Sequence, residues 1–211
     1  ALLKQLGVEC IELYCEPNGH FPHNPEPLKE HLTDISELVV KEGAHFGIVV
    51  DPDVDRLALV CEDGSMFGEE YTLVACADYV LGKTKGNTVS NLSSSRALRD
   101  ITEKHGGSYQ ASAVGEVNVV ELMKKTGSII GGEGNGGIIY PESHYGRDSL
   151  VGVGLFLSHL ANSKISCTAL RDSYPVYFMS KNKIELTPQI DVDAVLEKMA
   201  AKFSGEDVTT I

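Results

Sequence analysis

Residues 51–56 read DPDVDR and lie between two apolar runs, Phe46-Gly47-Ile48-Val49-Val50 and Leu57-Ala58-Leu59-Val60. Like charges at alternate positions repel, and on a straight extended chain their side chains point to one side about 6.6 Å apart. Three carboxylates converge only if the chain curls between the two runs. Pro52 favours a curl by fixing its own φ and by biasing Asp51 away from the helical region. Crowding Asp51, Asp53 and Asp55 is costly unless a positive charge sits among them. A hard, oxygen-seeking cation is the natural counter-charge: Mg²⁺ takes carboxylate oxygens at about 2.1 Å and fills its remaining positions with phosphate or water. The plain alternative is a solvated acidic turn in which Arg56 pairs with its neighbours.

The flanking pattern is that of an α/β chain. Residues 8–15 (VECIELYC) alternate as a strand would, and 28–42 places Leu28, Leu32, Ile35, Leu38 and Val39 on one helical face before Gly43. FGIVV follows, so the order predicts a parallel pair with a right-handed crossover, the unit of doubly wound sheets. The aspartates then fall at a strand's carboxyl end, where ligands bind in such sheets. Residues 57–61 predict a further strand, closed by the Asp63-Gly64 turn signal. A second alternation follows: a helix over 69–81, extended TVSNL (88–92), a helix through Lys104 capped by Ser93 to Ser95 and stopped at Gly106-Gly107, then SYQASAV, a helix over 116–125 and the strand SII (128–130). GGEGNGG interrupts, IIY resumes, and a helix is expected over 149–160. A third segment opens near Tyr174-Pro175 with VYFMSKNKIEL and continues into an amphipathic helix within 191–203. The expected fold is α/β, with two successive three-layer domains built on mixed, mainly parallel sheets (1–66 and 67–173), then the first elements of an α+β domain (174–211).

Several function classes are disfavoured by composition. With 30 acidic against 18 basic side chains the formal charge is −12, a field that repels phosphate polymers and gives no footprint for nucleic acid. No apolar run approaches the roughly 20 residues that cross a bilayer, and ALLKQLGVEC lacks a signal peptide's pattern, so a soluble, cytoplasmic protein with no membrane partner is expected. Cys10, Cys15, Cys61, Cys76 and Cys167 are odd in number and form no C-x-x-C pair, which suggests free thiols and no zinc site. Asp51, Asp53, Asp55 and Glu62 match EF-hand ligand positions, but Arg56 stands where the turn glycine is needed and LALV is strand-like. An Asp-x-Asp after an apolar strand also suits a haloacid-dehalogenase phosphatase with Asp51 as nucleophile, although Asp55 stands where threonine or valine is expected. A non-catalytic module for divalent cation or sugar phosphate is the other alternative.

GGEGNGG is not a nucleotide-phosphate loop, since the G-x-x-x-x-G-K-[ST] order is missing and Glu133 would repel phosphate. Glycines allow close backbone approach, while Glu133 and Asn135 offer paired acceptors and donors of the kind that recognise sugar hydroxyls. On the residues alone a glycine-rich hairpin between SII and IIY is the favoured reading.

GIVVDPDVDRLALV resembles the metal-binding loop of the α-D-phosphohexomutases, the family of phosphoglucomutases, phosphomannomutases and phosphoglucosamine mutases. Their usual loop is Asp-Gly-Asp-Gly/Ala-Asp-Arg, so Asp51, Asp53, Asp55 and Arg56 match while Pro52 and Val54 replace small residues. HFPHNPEPL, VGEVNVVELM and GGEGNGGIIYPESHYGRDS resemble further family segments in the same order. The resemblance implies a four-domain enzyme of which this chain holds most of domain two, all of domain three and the start of domain four. It implies interconversion of hexose 1- and 6-phosphates through a phosphoserine and a bisphosphosugar, with Mg²⁺ on the three aspartates, Arg56 at the phosphoryl oxygens, and glucose or mannose 1,6-bisphosphate as activator. Glu133, Gly134 and Asn135 stand where the sugar's 3- and 4-hydroxyls are contacted, and Glu116 and His144 are further substrate-site candidates. Arg147 and Asp148 share the ambiguity of Glu116, which a helix dipole explains equally well. Many members carry a histidine where Gly137 stands, leaving the general acid/base unassigned. The family's Thr-x-Ser-His-Asn-Pro motif is absent, with Pro22 at the nucleophile's position before His23-Asn24-Pro25, so this piece alone is expected to be inactive.

Overall fold

The two apolar runs around the aspartates fold back on each other. In the computed structural model, which describes residues 1–180, 182, 185–187 and 189–206, β1 (Phe46–Val50) and β2 (Leu57–Cys61) pair antiparallel, Phe46 opposite Cys61 and Val50 opposite Leu57. Every residue of β2 is buried. The expected parallel pair is therefore not formed, and 8–15 joins no ladder among the described residues. Alternation prepares a segment for a sheet but cannot supply its partner. Tyr14, at φ 55, also leaves the extended region, and its hydroxyl is bonded to Asp34 instead. Before β1, α1 (Leu2–Gln5) and a single 3₁₀ turn (Lys29–His31) precede α2 (Thr33–Glu42). Leu32 and Val39 seat α2 by their burial, and it stops at left-handed Gly43 (φ 62).

A four-stranded sheet carries the rest of the alternation in the order β4-β3-β5-β6. β3 (Thr88–Asn91) runs parallel to β4 (Tyr109–Ser112) and to β5 (Ile130–Glu133), while β6 (Gly137–Ile139) returns antiparallel on β5. The strand expected at 128–130 thus begins at Ile130 and takes in Gly131, Gly132 and Glu133. Glycine weakens a strand by itself, but pairing on both edges overrides that preference. α3 (Glu69–Leu81), α4 (Ala97–Lys104), α6 (Ser149–Ser163) and α7 (Cys167–Asp172) surround the main core, in which Leu57, Phe67, Leu73, Ile130, Ile138 and Phe156 meet. α5 (Glu116–Thr126) covers the other side through Val119 and Met123, packed with Val89 and Ile139. Helices on both faces of a mainly parallel sheet make this an α/β fold.

This unit spans 1–177. In the separate unit from 178, α8 (Val192–Lys202) is capped by Asp191, whose Oδ1 accepts from the Ala194 N–H at 3.1 Å. VYFMSKNKIEL lies partly outside the described residues, and its described part forms no strand. No helix among the described residues is long and apolar enough to cross a membrane. All five cysteines are free, with Cys61, Cys76 and Cys167 buried.

One half-buried carboxylate fastens several helices. Asp78 on α3 accepts from His105 Nε2 at 2.6 Å and from the Tyr174 hydroxyl at 3.3 Å, and His159 Nε2 on α6 lies 3.4 Å away. Burial pushes the Asp78 carboxyl up, but the bonds from His159 and His105 outweigh it and hold the group well below the usual range. A depressed carboxylate contributes stability above its unfolded value of about 3.9 and loses it as pH falls toward the folded value. Asp78→Asn is expected to lower the urea midpoint at pH 7, with the gap to the parent narrowing between pH 4 and pH 2. An equal gap across that range would contradict this role.

Candidate active site

Asp51 holds the curl of the loop that contains it. Its Oδ1 accepts from the N–H groups of Asp55 and Arg56, both at 3.0 Å, and its Oδ2 accepts from Arg56 Nε at 2.6 Å. The turn closes through Val54 N–H to the Asp51 carbonyl at 3.1 Å, with Val54 at φ 60. A β-branched residue rarely adopts that left-handed conformation, which explains why small residues suit this position. The Val54 carbonyl is tied to the start of α6, accepting from the Ser149 N–H at 3.2 Å and the Ser149 hydroxyl at 2.8 Å. Arg56 is anchored from outside by Glu26, with Nη1 to Oε2 at 2.7 Å and Nη2 to Oε1 at 3.4 Å.

The curl brings one carboxylate oxygen each of Asp51, Asp53 and Asp55 within 4.8 Å of one another, so the group can hold a metal ion. Asp51 is buried, Asp55 half-buried and Asp53 exposed. Asp55 Oδ1 is buried without a hydrogen-bond partner, its nearest cationic group being Arg56 Nε at 3.7 Å, so it keeps ligand capacity for a metal ion. Burial pushes Asp51 up, but the backbone and side-chain bonds from Arg56 more than offset it and hold the carboxyl below its ordinary range. Burial raises Asp55 above that range, and the adjacent Asp51 carboxyl adds to the rise against the pull of Arg147. Three carboxylates with a spare buried oxygen, next to a fixed guanidinium, fit an oxygen-seeking divalent cation.

The glycine-rich hairpin is sewn to the same loop. Leu57 N–H donates to the Gly136 carbonyl at 3.0 Å, and Arg56 bridges Gly137. Glu133 is buried at the end of β5, its Oε1 accepting from Asn91 Nδ2 at 2.6 Å and its Oε2 from Arg147 Nη1 at 2.6 Å. Gly134 N–H donates to the Ser94 hydroxyl at 2.9 Å, which in turn donates to Asn91 Oδ1 at 2.8 Å. A Cβ on Gly134 would stand 2.2 Å from Glu70 Oε2, so a side chain there would displace the carboxylate that accepts from the Ser95 N–H at 2.8 Å. Asn135 Oδ1 accepts from Gly137 N–H at 3.1 Å and closes the turn.

Arg147 joins the two halves. Its Nη2 bonds to Asp55 Oδ2, its Nη1 to Glu133, its Nε lies 3.5 Å from Glu116 Oε2, and its own N–H donates to Glu116 Oε1 at 2.9 Å. The fold thus gathers Asp51, Asp53, Asp55, Arg56, Glu133 and Glu116. His144 is engaged elsewhere: its Nδ1 accepts from Gly146 N–H at 3.0 Å, and its Nε2 lies 2.9 Å from Asp148 Oδ2, while Asp148 Oδ1 caps α6.

Sequence reasoning left Arg147 ambiguous and missed Asn91, Ser94 and Glu26; the GRD triplet after the hairpin was the available signal for the first. Ser93 to Ser95 do not share a capping role. Only Ser95 reaches the start of α4, its hydroxyl accepting from Ala97 N–H at 3.4 Å, because Ser94 is taken by the hairpin.

The family model for phosphoglucomutase/phosphomannomutase alpha/beta/alpha domain II matches residues 1–64, and that for domain III matches residues 68–177. A phosphoglucomutase/phosphomannomutase of Thermococcus kodakarensis is 33% identical over 99% of this chain and 46% of its own length. The phosphoglucomutase of Neisseria gonorrhoeae is 31% identical over 100% of this chain and 46% of its own length. A crystal structure of a phosphoglucomutase/phosphomannomutase family protein from Burkholderia thailandensis superposes with a TM-score of 0.74 at 28% identity, covering 82% of this chain and 38% of that one. The chain belongs to the phosphoglucomutase/phosphomannomutase family. It spans less than half the length of these relatives.

Proposed function

We infer that this chain supplies the cation-binding and sugar-binding parts of a cytoplasmic phosphohexomutase that interconverts hexose 1-phosphate and hexose 6-phosphate, on mannose, glucose or glucosamine, through a phosphoserine and a bisphosphosugar. The observation that carries the reading is the convergence of Asp51, Asp53 and Asp55 within 4.8 Å in a chain of this family. We assign residues 1–66 to the metal-binding domain, 67–173 to the sugar-binding domain and 174–211 to the beginning of the C-terminal domain.

In this reading the three aspartates hold Mg²⁺, which when bound supplies positive charge beside a transferring phosphoryl group. Arg56 spends Nε on Asp51 and one N–H of each terminal nitrogen on Glu26. A guanidinium has five donors, so two remain for phosphoryl oxygens, aimed by a group that cannot swing away. Glu133 and the backbone around Gly134 and Asn135 receive the hexose hydroxyls, with Glu116 and His144 at the margin. Each Glu133 oxygen keeps acceptor capacity beyond its one protein donor. A glucose or mannose 1,6-bisphosphate serves as activator of the whole enzyme, and this chain alone leaves hexose phosphates unchanged.

Titration calorimetry of the full chain tests the cation assignment: Mg²⁺ binds the parent, and Asp53→Ala abolishes the heat. Unchanged affinity in Asp53→Ala would remove the metal reading. Release of inorganic phosphate from hexose phosphates by this chain alone, with a phosphoaspartate at Asp51, would replace it with the phosphatase reading. Mg²⁺ binding without activity once the chain is combined with a phosphoserine donor domain would favour a non-catalytic module.

A further inference from the structure

We propose that Arg147 is a positioning residue that couples the cation loop to the hexose hairpin, so that a change at one alters affinity at the other. This rests on the metal-and-hexose reading above and adds to it a link between the two sites. The residue is fixed at its root: its backbone bridges Ile139 at the end of β6, and its N–H is held by Glu116 on α5. Its stem runs past Gly137, where a Cβ would stand 2.5 Å from Arg147 Cδ, so the hairpin leaves room for this side chain to pass. At the far end the terminal nitrogens divide, one on Asp55 Oδ2 and the other on Glu133 Oε2.

A guanidinium is planar and rigid, with its donors in a fixed fork. Two carboxylates bound to its two tines are therefore set at one separation, and a movement of either turns the fork on the other. On the Asp55 side, Arg147 takes Oδ2 and leaves Oδ1 buried with no hydrogen bond, 3.7 Å from Arg56 Nε, so that carboxylate has one oxygen to offer beside Asp51 and Asp53. On the Glu133 side it shares the carboxylate with Asn91. The single positive charge is divided among Asp55, Glu133 and Glu116. A cation that draws on Asp55 leaves more of that charge for Glu133, and a change at Glu133 returns it to Asp55. By linkage the effect is reciprocal.

Mg²⁺ affinity measured by calorimetry on the full chain tests the coupling, with melting temperatures in chelator as a check that each variant folds. Arg147→Lys keeps the charge but cannot serve both carboxylates, and it is expected to weaken Mg²⁺ about tenfold, as loss of an outer partner of a metal ligand does. Glu133→Gln is expected to shift Mg²⁺ affinity in the parent yet to leave it within about twofold on the Arg147→Lys background, the non-additivity that marks a direct link. The electron paramagnetic resonance spectrum of bound Mn²⁺ is expected to change in Glu133→Gln, which a merely structural role of Arg147 would not produce. If Arg147→Lys fails to fold, Glu133→Gln and Glu116→Gln carry the test through their Mg²⁺ affinities and Mn²⁺ spectra. Parent-like affinity in Arg147→Lys, strictly additive effects, or unchanged values in both glutamine variants would overturn the coupling while Mg²⁺ binding and its loss in Asp53→Ala still stand. A parent chain that binds no Mg²⁺ would remove the metal reading itself and the coupling with it.

Discussion

Asp51→Ala is expected to cost the fold about 3–5 kcal/mol and to abolish Mg²⁺ binding, the scale set by breaking a buried ion pair from one side. The Asp51 side chain is fully enclosed, and it answers two backbone N–H groups and one guanidinium N–H. Alanine leaves the Asp55 and Arg56 amides without their acceptor, and each buried orphan costs about 1–3 kcal/mol. Crowding among the aspartates does not reverse the sign: the Asp51 carboxyl is held below its ordinary range, so its charge is favoured where it stands. Asp51→Asn separates structure from ligation. Its amide oxygen can still accept from the two backbone N–H groups, so at least half of the lost stability should return while Mg²⁺ binding stays absent. Urea midpoints at pH 7 and calorimetry read the two effects. An alanine variant within about 1 kcal/mol of the parent would show that Asp51 does not organise the loop.

Gly136→Ala is expected to do comparable damage from the opposite side of the site. Gly136 sits at φ 89, and a Cβ there would lie 2.4 Å from the Leu57 carbonyl oxygen and 3.1 Å from its nitrogen. Positive φ costs an L-residue about 1–2 kcal/mol, and a clash with strand backbone, which cannot rotate aside, adds typically 1–3 kcal/mol. Relief requires the hairpin to lift off β2, which would break the Leu57 N–H bond to the Gly136 carbonyl. Mg²⁺ affinity should therefore fall together with stability, although residue 136 supplies no ligand. Gly154→Ala is the control, since nothing lies within 4 Å of a Cβ there; that helix substitution should be neutral or slightly stabilising. A Gly136→Ala variant with parent Mg²⁺ affinity would show that the hairpin and the cation loop are independent.

Local chemistry was legible wherever the chain interacts with its own near neighbours. The helix expected over 69–81 is α3 to the residue, and Gly43 stops α2 because left-handed backbone favours glycine. The apolar runs 46–50 and 57–61 become β1 and β2. Errors arose where a partner had to be chosen. Residues 8–15 carry a strand's alternation without a ladder to join, while Gly131 and Gly132 carry poor strand propensity and are paired into β5 by its neighbours. Ser94 has the chemistry of a cap, but Asn91 and Gly134 claim it.

The sequence by itself determined the donor set: three aspartates at alternate positions, an arginine beside them and a glutamate in a glycine run, because residue type and spacing fix which charges the chain must accommodate. Only the tertiary structure decided that these belong to one site, through Arg147, 92 positions from Asp55 along the chain, and through Glu133, 42 from its partner Asn91. The physical reason is range: turns and helices are set by contacts a few residues apart, whereas a buried charge takes whichever partner the packed sheet brings to it.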